Sequence, residues 1–202
     1  MENRLSAEDK KRIREGIGEK YAKVSESPEG LFSYPTGRAG LKALKYDPEI
    51  IQALPEAAVE SYCGVGNPFP LGTILEGEVV LDVGCGAGVD TLIAAMMVGP
   101  KGRVVGIDLI PEMLDRAKEN LRKASLNNVI FQEASGEDLP FSDASFDVVI
   151  SNGVFNLIPD KKKALKEVLR VLKPFGRFMI ADQVLTAEPN EDPESMVTNW
   201  AG

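Results

Sequence analysis

In the stretch Val79-Val80-Leu81-Asp82-Val83-Gly84-Cys85-Gly86-Ala87-Gly88, a run of β-branched and apolar residues ends in a carboxylate and then in glycines at alternate positions. Alternate glycines let the main chain turn sharply and allow a ligand to lie against the backbone. In an open α/β sheet, a turn of this kind at the carboxyl end of a strand is where ligands bind. Asp108 closes the next apolar run, at a spacing suited to accepting hydrogen bonds from ribose hydroxyls. A glycine loop alone is weak evidence. Loop, strand and acidic residue at this separation together are strong.

The nicotinamide fingerprint G-x-G-x-x-G holds a pyrophosphate at a helix N-terminus. Here the spacing is G-x-G-x-G, with Asp82 just ahead of it. A carboxylate in that place repels a diphosphate and suits a ligand that carries an ammonium, a sulfonium and a ribose. S-adenosylmethionine has that charge pattern and NAD does not. The alternative for Asp82 is a solvated strand-end carboxylate. The chain has no histidine, which removes imidazole acid–base chemistry and the commonest metal ligand, so no metal site is expected. A proton-bearing nucleophile would need a carboxylate, a tyrosine or a thiolate as its base, and the sequence does not choose among them. Cys63 and Asn156 are the candidates for contact with a substrate. Their alternatives are packing for Cys63 and a local backbone bond for Asn156.

These residues need a scaffold, and the stretch from Glu76 to Gln183 supplies one. Val79–Leu81, Arg103–Ile107, Val129–Phe131, Phe146–Ile150 and Arg177–Ala181 are short runs rich in Val, Ile and Phe, the pattern of parallel strands buried on both faces. Between them Asp90–Val98, Pro111–Ala124 and Asp160–Leu172 read as helices. Met113, Leu114, Ala117, Leu121 and Ala124 share one face of the second. Ala164, Leu165, Val168, Leu169 and Leu172 share one face of the third, with Lys161 to Lys163 turned to solvent. Pro174 and Gly176 are expected to end that helix. The dozen residues from Ala134 to Ser145 are too few for a full helical crossover and predict a loop or a single turn. Strand–helix alternation with right-handed crossovers gives a doubly wound, mostly parallel sheet, the α/β class.

Before Glu76 the chain is polar and broken by Pro and Gly. Ser6-Ala7-Glu8-Asp9 signals a helix start, and Ile13, Ile17, Tyr21 and Val24 form a narrow apolar stripe. Gly16 and Gly18 each weaken that helix by roughly 1 kcal/mol relative to Ala, so it needs a docking surface. A further helix begins after Asp47 with Pro48 in its first turn. Tyr34 to Arg38 reads as a turn-rich loop, in which Arg38 either meets a carboxylate of ligand or substrate or is solvated. Cys63 to Pro68 is a second loop.

The whole chain has 202 residues, 44% of them hydrophobic, enough for one domain with an appendage and too few for two full domains. A formal charge of −8 disfavours a grip on nucleic-acid phosphates. Two cysteines cannot form a disulfide framework, and a reducing cytoplasm suits them. No apolar run approaches the ~20 residues of a membrane span, so no membrane partner is expected.

Leu81 to Gly88, Asp108, Leu139-Pro140-Phe141 with Ser145-Phe146-Asp147, and Leu172-Lys173-Pro174-Phe175-Gly176-Arg177 resemble the class I S-adenosylmethionine-dependent methyltransferases, over roughly Glu76 to Asp182. Phe175 stands where that family usually has Gly. The resemblance implies a Rossmann-like methyltransferase fold, S-adenosylmethionine as cofactor and a small-molecule methyl acceptor as partner. It implies that Asp82, Gly84, Cys85 and Gly86 line the methionine moiety and that Asp108 holds the ribose with Leu109 beside the adenine. Ser135 and Gly136 would then meet the adenine edge, and Asn152 and Gly153 the methionine and the reacting methyl. Tyr21 closes over the cofactor or packs into the cap.

Ser151 to Asp160, Val98 to Gly102 and the Tyr62 to Pro68 loop are similar to the arsenite methyltransferase-like branch. In that branch cysteine sulfur presents the thiophilic centre. Gly153 replaces one of its cysteines here, which leaves Cys63 as the thiol ligand and arsenite as one acceptor among soft nucleophiles. The alternatives are a binding module that keeps the cofactor without turnover and a nicotinamide-dependent oxidoreductase. The expected organisation is an N-terminal helical cap over 1–75, the cofactor-binding Rossmann-like domain over 76–183 and an acidic tail over 184–202. The family's closing strands are expected to be missing, leaving the fifth strand as an edge that the tail or a second copy (a homodimer) would cover.

Overall fold

The computed structural model describes residues 5–184 together with Val197 and Trp200. Five parallel strands lie in the order β3-β2-β1-β4-β5: β1 Val79–Val83, β2 Arg103–Asp108, β3 Val129–Glu133, β4 Phe146–Asn152 and β5 Leu172–Ala181. β1 pairs on one side with β2 (Asp82 opposite Gly106) and on the other with β4 (Asp82 opposite Ile150). The strand order therefore reverses beside Asp82, the kind of crevice in which ligands of open sheets bind. The expected doubly wound fold is present, and the five apolar runs are its strands.

Among the described residues seven helices accompany the sheet. Those of the crossovers are α5 Val89–Val98, α6 Pro111–Ala124 and α7 Lys161–Val171. α5 is mostly apolar and buried, with Asp90 and Thr91 in its first turn, whereas α6 and α7 are amphipathic, as helices on an outer layer should be. The α7 stripe is only half used. Ala164, Val168 and Val171 are buried, while Leu165 is 43% and Leu169 71% exposed. The connection from β3 to β4 is a loop with a single bridge between Ser135 and Asp138. Arg170 holds it against α7, donating to the carbonyls of Leu139 and Phe141 and to Glu167, whose Oε2 accepts from the Leu139 N–H at 2.9 Å.

Between α7 and β5 the sequence expectation needs correction. Pro174 and Gly176 do not form a separate stop: helix passes to strand at Leu172. The irregularity falls inside β5, where Phe146 pairs with Leu172 but Val148 pairs with Arg177. Phe175 lies in this bulge at φ +66° with its ring fully exposed. Lys173 Nζ reaches both oxygens of Asp147 at 2.9 and 2.8 Å and so stitches the bulge to β4.

The segment ahead of β1 folds as α1 Ala7–Glu26, α2 Gly37–Ala43, α3 Pro48–Ala53, α4 Glu56–Glu60 and a 3-10 turn at Phe69–Leu71. Ser6 caps α1 in a reciprocal box with Asp9. Asp47 caps α3, and Pro48 occupies its first turn, as expected. α2 overturns the loop expected at Tyr34 to Arg38, since the helix starts at Gly37. Its Leu41 is fully buried and the Gly37 N–H donates to the Tyr62 carbonyl at 2.7 Å, so packing overrides two glycines of low helical propensity. Arg38 pairs with Glu56 rather than with anything in the crevice. α4 has no signal in the apolar pattern.

β5 pairs only with β4 among the described residues. The expected cover from the tail falls on residues outside those described, apart from Trp200, whose Nε1–H donates to the Leu157 carbonyl at 2.9 Å, on the loop after β4.

Candidate cofactor-binding site

A cavity of about 290 Å³ opens at the carboxyl ends of β1, β2 and β4. Its floor is the glycine loop. Gly84 and Cys85 both donate their N–H to the Ile107 carbonyl at 2.8 Å, which ties the turn to the end of β2. Gly84 has φ +72°, and a Cβ there would lie 2.3 Å from Val154 Cγ2. Only glycine satisfies both conditions. Asp108 Oδ2 accepts from the Gly86 N–H at 2.8 Å and its Oδ1 from Ile110 N–H at 3.0 Å. The carboxylate thus props the loop open, and each oxygen keeps a lone pair for a ligand. Burial raises the Asp108 pKa, and the backbone donors of Ile110 and Gly86 pull it back.

Three further carboxylates line the same cavity: Glu137, paired with Arg14, and the two without an ion pair, Asp82 and Asp90. Asp82 is 2% exposed, and its Oδ2 accepts from the Thr91 hydroxyl at 2.6 Å. Burial first and the neighbouring Asp90 second push it up to about 8. Asp82 is therefore neither the solvated strand end nor a charge standing free in the crevice. Asp90, in the first turn of α5, went unread in the sequence. Its Oδ1 accepts from the Tyr46 hydroxyl at 2.8 Å and its Oδ2 from Asn152 Nδ2 at 2.8 Å. Burial raises it to about 6 against the pull of those two donors. A lone acidic residue in the run Val89-Asp90-Thr91-Leu92-Ile93 was the signal for it. Neither carboxylate forms an ion pair among the described residues.

Asn152 is the junction of three elements. Its Oδ1 accepts from the N–H groups of Val65 and Gly66, both at 3.0 Å, and its Nδ2 also lies 2.8 Å from the Gly66 carbonyl. The hydroxyls of Tyr46 and Tyr62 stand 3.2 Å from the same nitrogen. The end of β4 is thereby fastened to the loop that carries Cys63.

Cys63, Tyr21, Leu109, Ser135, Gly136 and Gly153 also line the cavity. The Cys63 thiol is pushed up to about 12, chiefly by burial and then by Asp108, and the Cys85 thiol rises well above its ordinary value for the same reasons. Both are free thiols that stay protonated at neutral pH. A Cβ on Gly153 would come 3.2 Å from Val65, so Val65 fills the space into which a side chain there would project. Burial also raises the Tyr21 pKa, and its hydroxyl remains a donor. Asn156 is the exception. It lies outside the cavity lining, its N–H donates to Asp182 Oδ2 at 3.2 Å, and its side-chain Oδ1 is buried without a partner.

Sequence reasoning also missed the closure of the far side. Arg14 of α1 pairs with the buried Glu137, which accepts from Asp160 N–H at 2.9 Å. Lys10 pairs with Asp160. α1 is thus held across the cavity with Ile17 and Tyr21 turned into it.

A parallel sheet whose strand order reverses beside a glycine-floored cavity lined by buried carboxylates has the form of a ligand site of the open α/β class. Residues 74–201 match the family described as methyltransferase domain, and the chain belongs to it. Within that family its similar relatives include arsenite methyltransferases and, over a shorter stretch, demethylmenaquinone methyltransferases such as that of Listeria welshimeri, 39% identical over 118 residues covering 58% of this chain and 48% of the relative. The arsenite methyltransferase of Halobacterium salinarum is 36% identical over 219 aligned residues, covering 100% of this chain and 56% of the relative. Among solved structures, an arsenic(III) S-adenosylmethionine methyltransferase from Chlamydomonas reinhardtii is 34% identical with a TM-score of 0.56, over 74% of this chain and 50% of that one. A SAM-dependent methyltransferase from Aquifex aeolicus is 28% identical with a TM-score of 0.55, over 83% and 89%. The chain spans about half the length of the curated relatives it matches.

Proposed function

We propose that the chain is an S-adenosylmethionine-dependent methyltransferase domain that acts on a small acceptor bearing a soft nucleophilic atom. The observation that carries this reading is a cavity at the strand-order reversal, floored by glycines and lined by Asp82 and Asp90 with no basic partner. Buried carboxylates left unpaired call for a cationic ligand. Asp108 keeps lone pairs for the two ribose hydroxyls. Leu109, half exposed at the cavity edge, offers the adenine an apolar wall, with Ser135 and Gly136 across from it. Asp82, Gly84, Cys85, Gly86, Asn152 and Gly153 surround the methionine end, and Tyr21 closes from above.

The bound cofactor supplies a methyl group activated by its sulfonium. The chain's part is to align acceptor and donor and to keep water out, an effect worth several kcal/mol. The Asn152 junction fixes the Cys63 loop, and the α1 contacts seal the other side. An arsenic(III) acceptor would meet the Cys63 thiol, Cys85 lying in the glycine loop under the cofactor, and would bring its remaining sulfur ligands from solution. The names of the arsenite methyltransferase relatives, which match most of the chain, support arsenic, while Gly153 keeps other soft nucleophiles, thiols among them, in the same class.

The test is a labelled-methyl transfer screen with arsenite plus thiol, thiols alone and phenols, beside calorimetry with S-adenosylmethionine, S-adenosylhomocysteine and NAD. Label on arsenic or sulfur is the expected result. Binding of both sulfur nucleotides with no transfer would replace this reading by that of a non-catalytic module, and binding of NAD alone would overturn the cofactor assignment.

No helix among the described residues is long and apolar enough to cross a membrane. Two free thiols are consistent with a reducing cytoplasmic home. We keep the division into a cap over 1–75, a cofactor domain over 76–183 and a tail over 184–202. Pairing of two copies through the open β5 edge belongs to the same proposal, and a monomer in sedimentation equilibrium at tens of micromolar, a range set by standard interface affinities, would remove it.

A further inference from the structure

We infer that Asp90 is the residue that distinguishes the charged sulfonium cofactor from its neutral thioether product, while Asp82 serves the ammonium that both share. This rests on the cofactor reading above and deepens it. S-adenosylmethionine and S-adenosylhomocysteine differ at the reacting end by one methyl and one positive charge. A protein that must bind the first and release the second gains from a fixed negative charge at the sulfur and nowhere else.

Three observations place that charge on Asp90. First, Asp82 is held by Thr91 beneath the glycine loop and is pushed up by burial and by the neighbouring Asp90 together, whereas Asp90 is pushed up by burial alone and is pulled back by two donors, Asn152 and Tyr46, that favour its charged form. Second, Asp90 is 7% exposed yet lines the cavity, and both its oxygens are oriented by donors, Tyr46 and Asn152. Third, its partner Asn152 ends β4 beside Gly153, and the Cys63 loop is hung on the same amide, so the charge stands where donor and acceptor meet. The groups facing Asp90 are the hydroxyls of Tyr46 and Tyr62, the Asn152 amide, the Cys63 thiol and the Asp82 carboxyl. None is basic. In a dry, low-dielectric site an unscreened carboxylate acts strongly on a cation within a few ångströms.

The experiment is calorimetric titration of the free chain with S-adenosylmethionine, S-adenosylhomocysteine and sinefungin, in which a protonated amine stands in place of the sulfonium. Asp90→Asn should weaken S-adenosylmethionine and sinefungin by about tenfold or more, and S-adenosylhomocysteine by less than about threefold, an electrostatic difference of the expected size. Asp82→Asn should weaken all three alike. If Asp90→Asn lowers all three by the same factor, or none, or if the selective loss follows Asp82→Asn, the inference is overturned. Circular dichroism and a thermal melt check each fold. Should Asp90→Asn not fold, Tyr46→Phe removes a donor and keeps the charge. The preference for S-adenosylmethionine must then survive, and its loss would show that the network rather than the charge selects. Absence of binding by any of the three to the unaltered chain would instead bring down the cofactor reading itself.

Discussion

The cavity has two walls built in different ways. On the sheet side, β1, β2 and β4 end together and the backbone does the work: Gly84 and Cys85 bond to Ile107, Gly86 bonds to Asp108, and the geometry follows from strand register. On the N-terminal side, helices of seven, six and five residues are too short to stand alone, and side chains do the work. Asn152, Tyr46, Tyr62 and Asp90 hold the Cys63 loop, while Arg14 and Glu137 hold α1. A wall fixed by ladder hydrogen bonds tolerates changes of side chain and not of backbone. A wall fixed by a polar network responds the other way. Rigid cofactor contacts on the first and an adaptable acceptor side on the second would let one scaffold serve acceptors of different kinds.

The largest effect should come from the sheet side. Gly84→Ala forces a side chain into a left-handed conformation and against Val154, and the two penalties together should cost about 3 kcal/mol. Urea unfolding would register it as a lower midpoint. An unchanged midpoint would mean that the loop's backbone is not the rigid element.

On the opposite wall, Asn152→Ala leaves the Val65 and Gly66 amides without an acceptor at a cost of about 2 kcal/mol. Hydrogen exchange should show the 62–68 loop losing protection while β1 keeps its own. Equal loss in both would erase the distinction between the walls.

The paired carboxylates add a pH dependence. Asp82 and Asp90 are raised in the folded chain, so the folded state holds protons that the unfolded state has released. Stability should therefore fall as pH climbs from about 4 through 6 to 8, the reverse of what lowered carboxylates give. Glu167, lowered to about 2 mainly by Arg170, is of that second kind, and its contribution is lost only as pH falls from about 4 toward 2. The free chain should lose about 5 °C in Tm between pH 5.5 and 8, less so in Asp82→Asn. A flat profile would mean that solvent reaches the pair.

What the sequence made legible divides along the same line. Strands β1 to β4 and helix α6 were readable because buried parallel strands and amphipathic helices leave periodic apolar patterns, and the glycine loop and Asp108 follow β1 and β2 where those patterns end. Several motifs that mark the family proved to hold the sheet: Asp147 anchors Lys173, and the Leu139 to Phe141 loop is clamped by Arg170 and Glu167. α2 and α4 left no such pattern, being too short to show a period and stabilised by contacts distant in the chain. Asp90 was missed because its meaning depends on Tyr46 and Asn152, 44 and 62 residues away. Asn156 lies outside the cavity lining, and its place in the motif carries no information about which way its side chain turns.

The smallest effect concerns a flaw on the sheet side, far from the cavity. Phe175 lies at φ +66°, a conformation that costs an L-residue roughly 1–2 kcal/mol and glycine very little, and its ring is fully exposed and gains nothing from burial. Phe175→Gly removes the strain but gives the unfolded chain more freedom, which offsets part of the gain. The net should be a stabilisation of about 1 kcal/mol, read as a higher urea midpoint with an unchanged slope. Cofactor affinity should not move, because the bulge lies at the start of β5, while the cavity opens at the other ends of the strands. A loss of stability would show that the Phe175 ring has a partner that covers it, and a change in affinity would show that strain in β5 reaches the glycine loop through β4.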